Sequence, residues 1–131
     1  MKHAKESAKV CNEVNPDFIR LRTLVVQHGS LLEEKMNSAQ YKPTLPIQKL
    51  QEIKIFLKNL ELEQCELTSD HFTNYIWVDK NIVYRGIYGT LPKDKQDMLD
   101  TLNQTLDFLS TAEGEILDAT ILYKQDLITN L

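Results

Sequence analysis

Any chemistry in this chain must come from three histidines, two cysteines and scattered carboxylates. His28 is the most informative of these. Phe18, Leu21, Val25, His28, Leu32 and Met36 repeat at helical spacing and set it on an apolar stripe. An exposed helical histidine could carry a phosphoryl group, whereas one covered by Val25 and Leu32 is a core residue bonded to a neighbour. His71 follows Asp70, a pairing that suggests acid–base work. Adjacent residues on a helix or strand point in different directions, however, so adjacency alone does not make them a pair. Cys11 and Cys65 lack metal-ligand spacing and have no histidine that the sequence would pair with them, so they read as free thiols. No HExxH, ExxH or paired-cysteine motif is present, and Glu33-Glu34 and Glu61-x-Glu63 read as solvated helix faces. Only four glycines occur, and none forms a phosphate-cradling loop. The expectation is a protein with no catalytic residue, cofactor or metal.

The aromatic segment is the next candidate. Residues 72–88 hold Phe72, Tyr75, Trp77, Tyr84 and Tyr88. Trp77, Tyr84 and Arg85 could stack bases, but such a cluster is more often a core or a protein interface. A net charge of −4 and a pI near 5.3 also argue against binding that works by phosphate neutralisation.

The elements that must position these residues read as mainly helical. Residues 3–14 form a short helix with Ala4, Ala8 and Cys11 on one side, or else a frayed arm. Asn15-Pro16-Asp17 resembles a cap, a first-turn proline and a first-turn acid, which predicts a helix running to about Gln40. Tyr41–Pro46 is a loop. A further helix carries Ile47, Leu50, Ile53, Leu57 and Leu60 inward and fades near Gln64. Residues 72–88 are ambiguous. Tyr75–Val78 and Ile82–Tyr84 are rich in strand formers about a turn at Asp79-Lys80-Asn81, whereas Phe72, Tyr75, Ile76, Asp79 and Ile82 fit a helix.

From Thr90-Leu91-Pro92 to Leu131 the pattern is one long helix of about 55 Å. Leu99, Leu102, Leu106, Leu109, Ile116, Thr120, Tyr123 and Leu127 line its seam, Glu113 interrupts it, and Thr90 caps it. Residues 92–131 hold three lysines and eight acids, a net of −5, so the remaining chain sums to +1. Asp97, Asp100, Asp107, Glu115 and Asp118 fall opposite the seam, and Phe108 and Leu122 project among them as apolar anchors ringed by charge.

With 131 residues, 42% hydrophobic and 26% charged, the chain fits one domain spanning 1–131 with an ordinary core. It shows no secretory signal pattern and no apolar run of membrane-spanning length, so the simplest location is the cytoplasm, with leaderless export left open. The expected architecture is a mainly α bundle of about four helices with a long C-terminal helix, 72–88 being open to a β-hairpin. The expected function is a non-catalytic protein-binding module, such as an adaptor, inhibitor, immunity protein or host-directed effector. Its partner would be another protein, or a second copy through the C-terminal helix. Phe108, Leu122, Asp107, Glu115, Asp118, Trp77 and Tyr84 are the candidate contact residues. The competing reading is a small enzyme or histidine phosphotransfer protein that uses His28 or His71.

Overall fold

The computed structural model describes residues 2–22, 31–39 and 45–118. Among them the order is α1 (Lys2–Val14), β1 (Phe18–Arg20), α2 (Leu31–Asn37), α3 (Pro46–Asn59), β2 (Cys65–Thr68), a 3-10 turn (Phe72–Asn74), β3 (Ile76–Val78), β4 (Asn81–Tyr84), β5 (Tyr88–Leu91), α4 (Lys95–Ser110) and β6 (Ile116–Asp118). This is an α+β fold, not a helical bundle.

Sheet A has the order β1-β2-β5, with β1 parallel to β2 and β2 antiparallel to β5. Its pattern has a period of two. Ile19, Cys65, Leu67 and Leu91 turn toward the helices, and Phe18, Arg20, Glu66 and Tyr88 turn to solvent. Sheet B has the order β4-β3-β6, all antiparallel. Within 72–88 the structure therefore adopts the hairpin alternative, over β3 and β4. Val78 pairs with Asn81 across a two-residue turn, and Asp79 and Lys80 both have positive φ (49° and 73°), the conformation that fits the twist of such a hairpin.

Helix α3 is the hub, packing against α1, α4 and β6. Pro46 occupies its first turn, and the Gln48 side chain accepts the Leu45 N–H at 3.3 Å. Leu50, Phe56 and Leu57 give it a buried stripe. It ends at Asn59, five residues short of the expected Gln64. Two side chains from elsewhere explain the stop: Lys95 Nζ donates to the Lys58 and Leu60 carbonyls at 3.2 and 2.8 Å, and Asn12 Nδ2 donates to the Asn59 carbonyl at 2.9 Å. Asn12 Oδ1 also accepts the Glu61 N–H at 2.8 Å. Residues 3–14 are thus helical, and α1 is clamped to α3 by Asn12 and by the buried small residues Ala4 and Ala8.

Two of the expected helices are corrected. Residues 18–22, directly after Asn15-Pro16-Asp17, are not helical. Asn15 has φ +54°, and Phe18–Arg20 forms β1 beside β2. The i, i+3 spacing of Phe18 and Leu21 coincided with a helix, but Ile19 and Leu21 pack against the core and Phe18 is exposed. Among the described residues of this span, helix is found at α2, inside the expected run to Gln40, and His28 lies outside the described residues. The long C-terminal helix stops at Ser110. The Ser110 and Thr111 hydroxyls turn back onto the Asp107 and Phe108 carbonyls at 2.7 and 3.2 Å, in competition with the helical ladder. Gly114 then lies so close to the β3–β4 turn that a Cβ would sit 2.1 Å from Asp79 Oδ2. Asp79 Oδ1 accepts the Glu115 N–H there at 2.9 Å and draws the chain into β6. The seam residues Leu99, Leu102 and Leu109 are buried on α4, whereas Ile116 belongs to a strand. Thr120, Tyr123 and Leu127 are outside the described residues. Thr90 is a β5 residue rather than a cap: its N–H donates to Asp94 Oδ2 at 2.9 Å, and Asp94 is the N-cap of α4.

Candidate functional site

The residues singled out from the sequence are dispersed. Trp77 is fully covered and packs with Tyr75, Ile82 and Leu117 on the face of sheet B away from the main core; Tyr84 is buried within that core. Burial pushes the Tyr84 hydroxyl up to about 12, and the Ser69 hydroxyl beside it pulls weakly the other way. Asp118 is buried and holds Lys49 of α3 at 2.6 Å, which pins β6 to the hub helix. Asp107, Phe108 and Glu115 are exposed, Phe108 at 51%. Leu122 lies outside the described residues. Of the proposed rail, therefore, Asp97, Asp100, Asp107 and Phe108 remain together on the outer side of α4.

Of the groups considered for chemistry, His28 lies outside the described residues, His71 is held by a neighbour and Cys65 is covered. His71 Nδ1 accepts the Thr73 N–H at 3.3 Å and lies 2.9 Å from the Thr73 hydroxyl, a local turn that holds the ring. Cys65 is buried, and desolvation first, then the charges of Cys11 and Asp17, raise its thiol above the ordinary value. A buried thiol of raised pKa is a poor nucleophile. Cys11 is half-buried, and both cysteines are free. Among the described residues no group of three or more His, Cys, Asp or Glu is placed to hold a metal, and no helix is long and apolar enough to cross a membrane.

The open face of sheet A is the more informative surface. Its register sets Arg20, Thr68 and Tyr88 in one row across three strands and Phe18, Glu66 and Thr90 in the next. Tyr88 is 72% exposed and Phe18 45% exposed. The Arg20 guanidinium lies 5.4 Å from the centre of the Phe18 ring, which holds the charge against the sheet. Beyond the first row, a groove of about 550 Å³ runs from Phe18, Arg20 and Arg22 to Thr68, Asp70 and His71. At the other edge a smaller one of about 160 Å³ separates Tyr88 from Asp97 and Thr101 of α4.

The backbone beneath this face is firmly fixed. Ser69 N donates to the Ile87 carbonyl at 2.7 Å, Ile87 N donates to Ser69 Oγ at 3.1 Å, and Asn74 Nδ2 ties the Leu21 and Ser69 carbonyls at 2.8 and 3.0 Å. Exposed aromatics and an arginine on a rigid sheet are suited to contact with another macromolecule, because little side-chain or backbone freedom is lost on binding. Sequence reasoning assigned Phe18 to a helical stripe and did not select Arg20. The available signal was the alternation in Cys65-Glu66-Leu67-Thr68 and Tyr88-Gly89-Thr90-Leu91.

No family model, curated protein or solved structure matches this chain.

Proposed function

We propose that this protein is a non-catalytic protein-binding module that docks a partner on the open face of sheet A. The observation that carries the reading is the pair of exposed aromatics, Phe18 and Tyr88, flanking Arg20 on a sheet whose other face is sealed by the core. Tyrosine and arginine are among the side chains that most often anchor interfaces, and a flat, braced strand surface presents them at small entropic cost. The engaged His71 and the covered Cys65 favour binding over group transfer at this face. The outer side of α4, with Phe108 among Asp97, Asp100 and Asp107, borders the same region through Asp97.

The test is affinity capture from native extract with the wild type and with Phe18→Ser/Tyr88→Ser. Both side chains point to solvent, so the variant is expected to melt with the wild type. A protein retained by the wild type and lost by the variant supports the reading. Equal retention by both, with unchanged melting, overturns the assignment to this face.

A further inference from the structure

We infer that the open face of sheet A is self-complementary and pairs two copies of this chain about a twofold axis. The inference rests on the protein-binding reading and specifies the partner. Across the sheet the row runs Arg20, Thr68, Tyr88, and the groove at its far edge brings it to Asp97. Arg22 extends the basic end through the groove it shares with Arg20, and Asp100 extends the acidic end one helical turn along α4. A row that is basic at one end, acidic at the other and uncharged between is matched by its own reverse. Rotating a second copy by a half-turn sets Arg20 and Arg22 against its Asp97 and Asp100 and stacks the two Tyr88 rings near the axis. Such a contact is isologous and closes on itself as a dimer.

Two exposed acids on this side of the molecule offset part of the basic end. Glu66 lies in the neighbouring row between Phe18 and Thr90, and Asp70 borders the basic groove. Each moderates the basic end without reversing the gradient along the row. Arg20, Arg22, Asp97 and Asp100 are all exposed, and the stacking of Arg20 on Phe18 fixes the cationic end before docking. Three strands about 4.8 Å apart, each of three or four residues rising about 3.3 Å apiece, give a patch well under the roughly 800 Å² per partner of a tight interface. The dimer is therefore weak, and it loosens with salt.

Sedimentation equilibrium from about 10 µM to about 1 mM on the full chain tests this with three proteins: wild type, Arg20→Glu/Arg22→Glu and Asp97→Lys/Asp100→Lys. The wild type is expected to dimerise, each charge-reversed variant to weaken at least tenfold, and an equimolar mixture of the two to recover association. Comparable melting of the three proteins verifies that each is folded. A wild type that stays monomeric at the highest concentration overturns self-pairing. The capture experiment with Phe18→Ser/Tyr88→Ser then decides separately whether the face takes a different protein. Dimerisation unaffected by either reversal overturns this surface, and loss in both variants without recovery on mixing overturns the opposed-end arrangement.

Discussion

Replacing Gly86 by alanine tests most severely the frame that supports the sheet A face. Gly86 has φ +90°, a region that L side chains rarely adopt, and its missing Cβ would sit 2.0 Å from the Ser69 carbonyl oxygen and 2.7 Å from the Asp70 Cα. These contacts are to backbone atoms, so no rotamer change relieves them. The strained φ alone costs roughly 1–3 kcal/mol. Moving the 86–87 backbone off Ser69 also disturbs the two bonds that the Ser69 and Ile87 N–H groups make to one another's residue, and the Ser69 carbonyl held by Asn74, each contributing about 1 kcal/mol. The sum, roughly 4–6 kcal/mol, is a large part of the 5–15 kcal/mol typical of a domain. With a urea slope of about 2 kcal/mol/M, the midpoint should fall by about 2–3 M. Urea titration followed by circular dichroism measures this directly. A midpoint within about 0.3 M of the wild type would refute both the Gly86 conformation and the close approach to Ser69.

Other expectations follow from particular contacts. Asn12→Ala removes both bonds that clamp α1 to the end of α3 and should cost about 1–2 kcal/mol by chemical denaturation. Lys49→Met takes the cation from the buried Asp118 and should destabilise by about 2–3 kcal/mol, whereas Lys49→Met/Asp118→Leu should recover most of the loss; an unchanged single variant would contradict the pairing. Tyr84 has its folded pKa raised from 10.0 to about 12, so the folded state holds the proton that the unfolded state releases. The associated stability, about 3 kcal/mol, is fully present below pH 10 and is lost as pH rises from about 10 to 12. Tyr84→Phe should therefore flatten the alkaline arm of the stability profile, and an alkaline arm identical to the wild type would count against this burial.

The sequence announces some elements more clearly than others. Helix α3 is legible because Ile47, Leu50, Ile53, Leu57 and Leu60 keep a strict period after a proline, and α4 because Leu99, Leu102, Leu106 and Leu109 do the same. What the pattern hides is where one period ends and another begins. Ile116 continues the arithmetic of the α4 seam, so the break made by Ser110, Thr111 and Gly114 registers only through contacts with Asp79, far away in sequence. The strands of sheet A are three or four residues long, too short for alternation to stand out. Their identity depends on pairing partners more than forty residues apart for β1 and β2. Phe18 illustrates the consequence: its spacing to Leu21 suggests a buried stripe, but strand geometry turns it outward. Trp77 and Tyr84 are legible as an aromatic cluster, yet their burial on opposite faces of sheet B follows from the hairpin register, which no local pattern specifies.

The claim that sheet A presents the binding face is tested most directly by placing a photo-crosslinking phenylalanine analogue at Tyr88, and separately at the exposed Glu52 of α3 as a control. Irradiation in native extract at matched expression should give a discrete adduct from position 88, suppressed by excess unlabelled protein, and none from position 52. Discrete adducts from position 52 with none from position 88 would contradict the account.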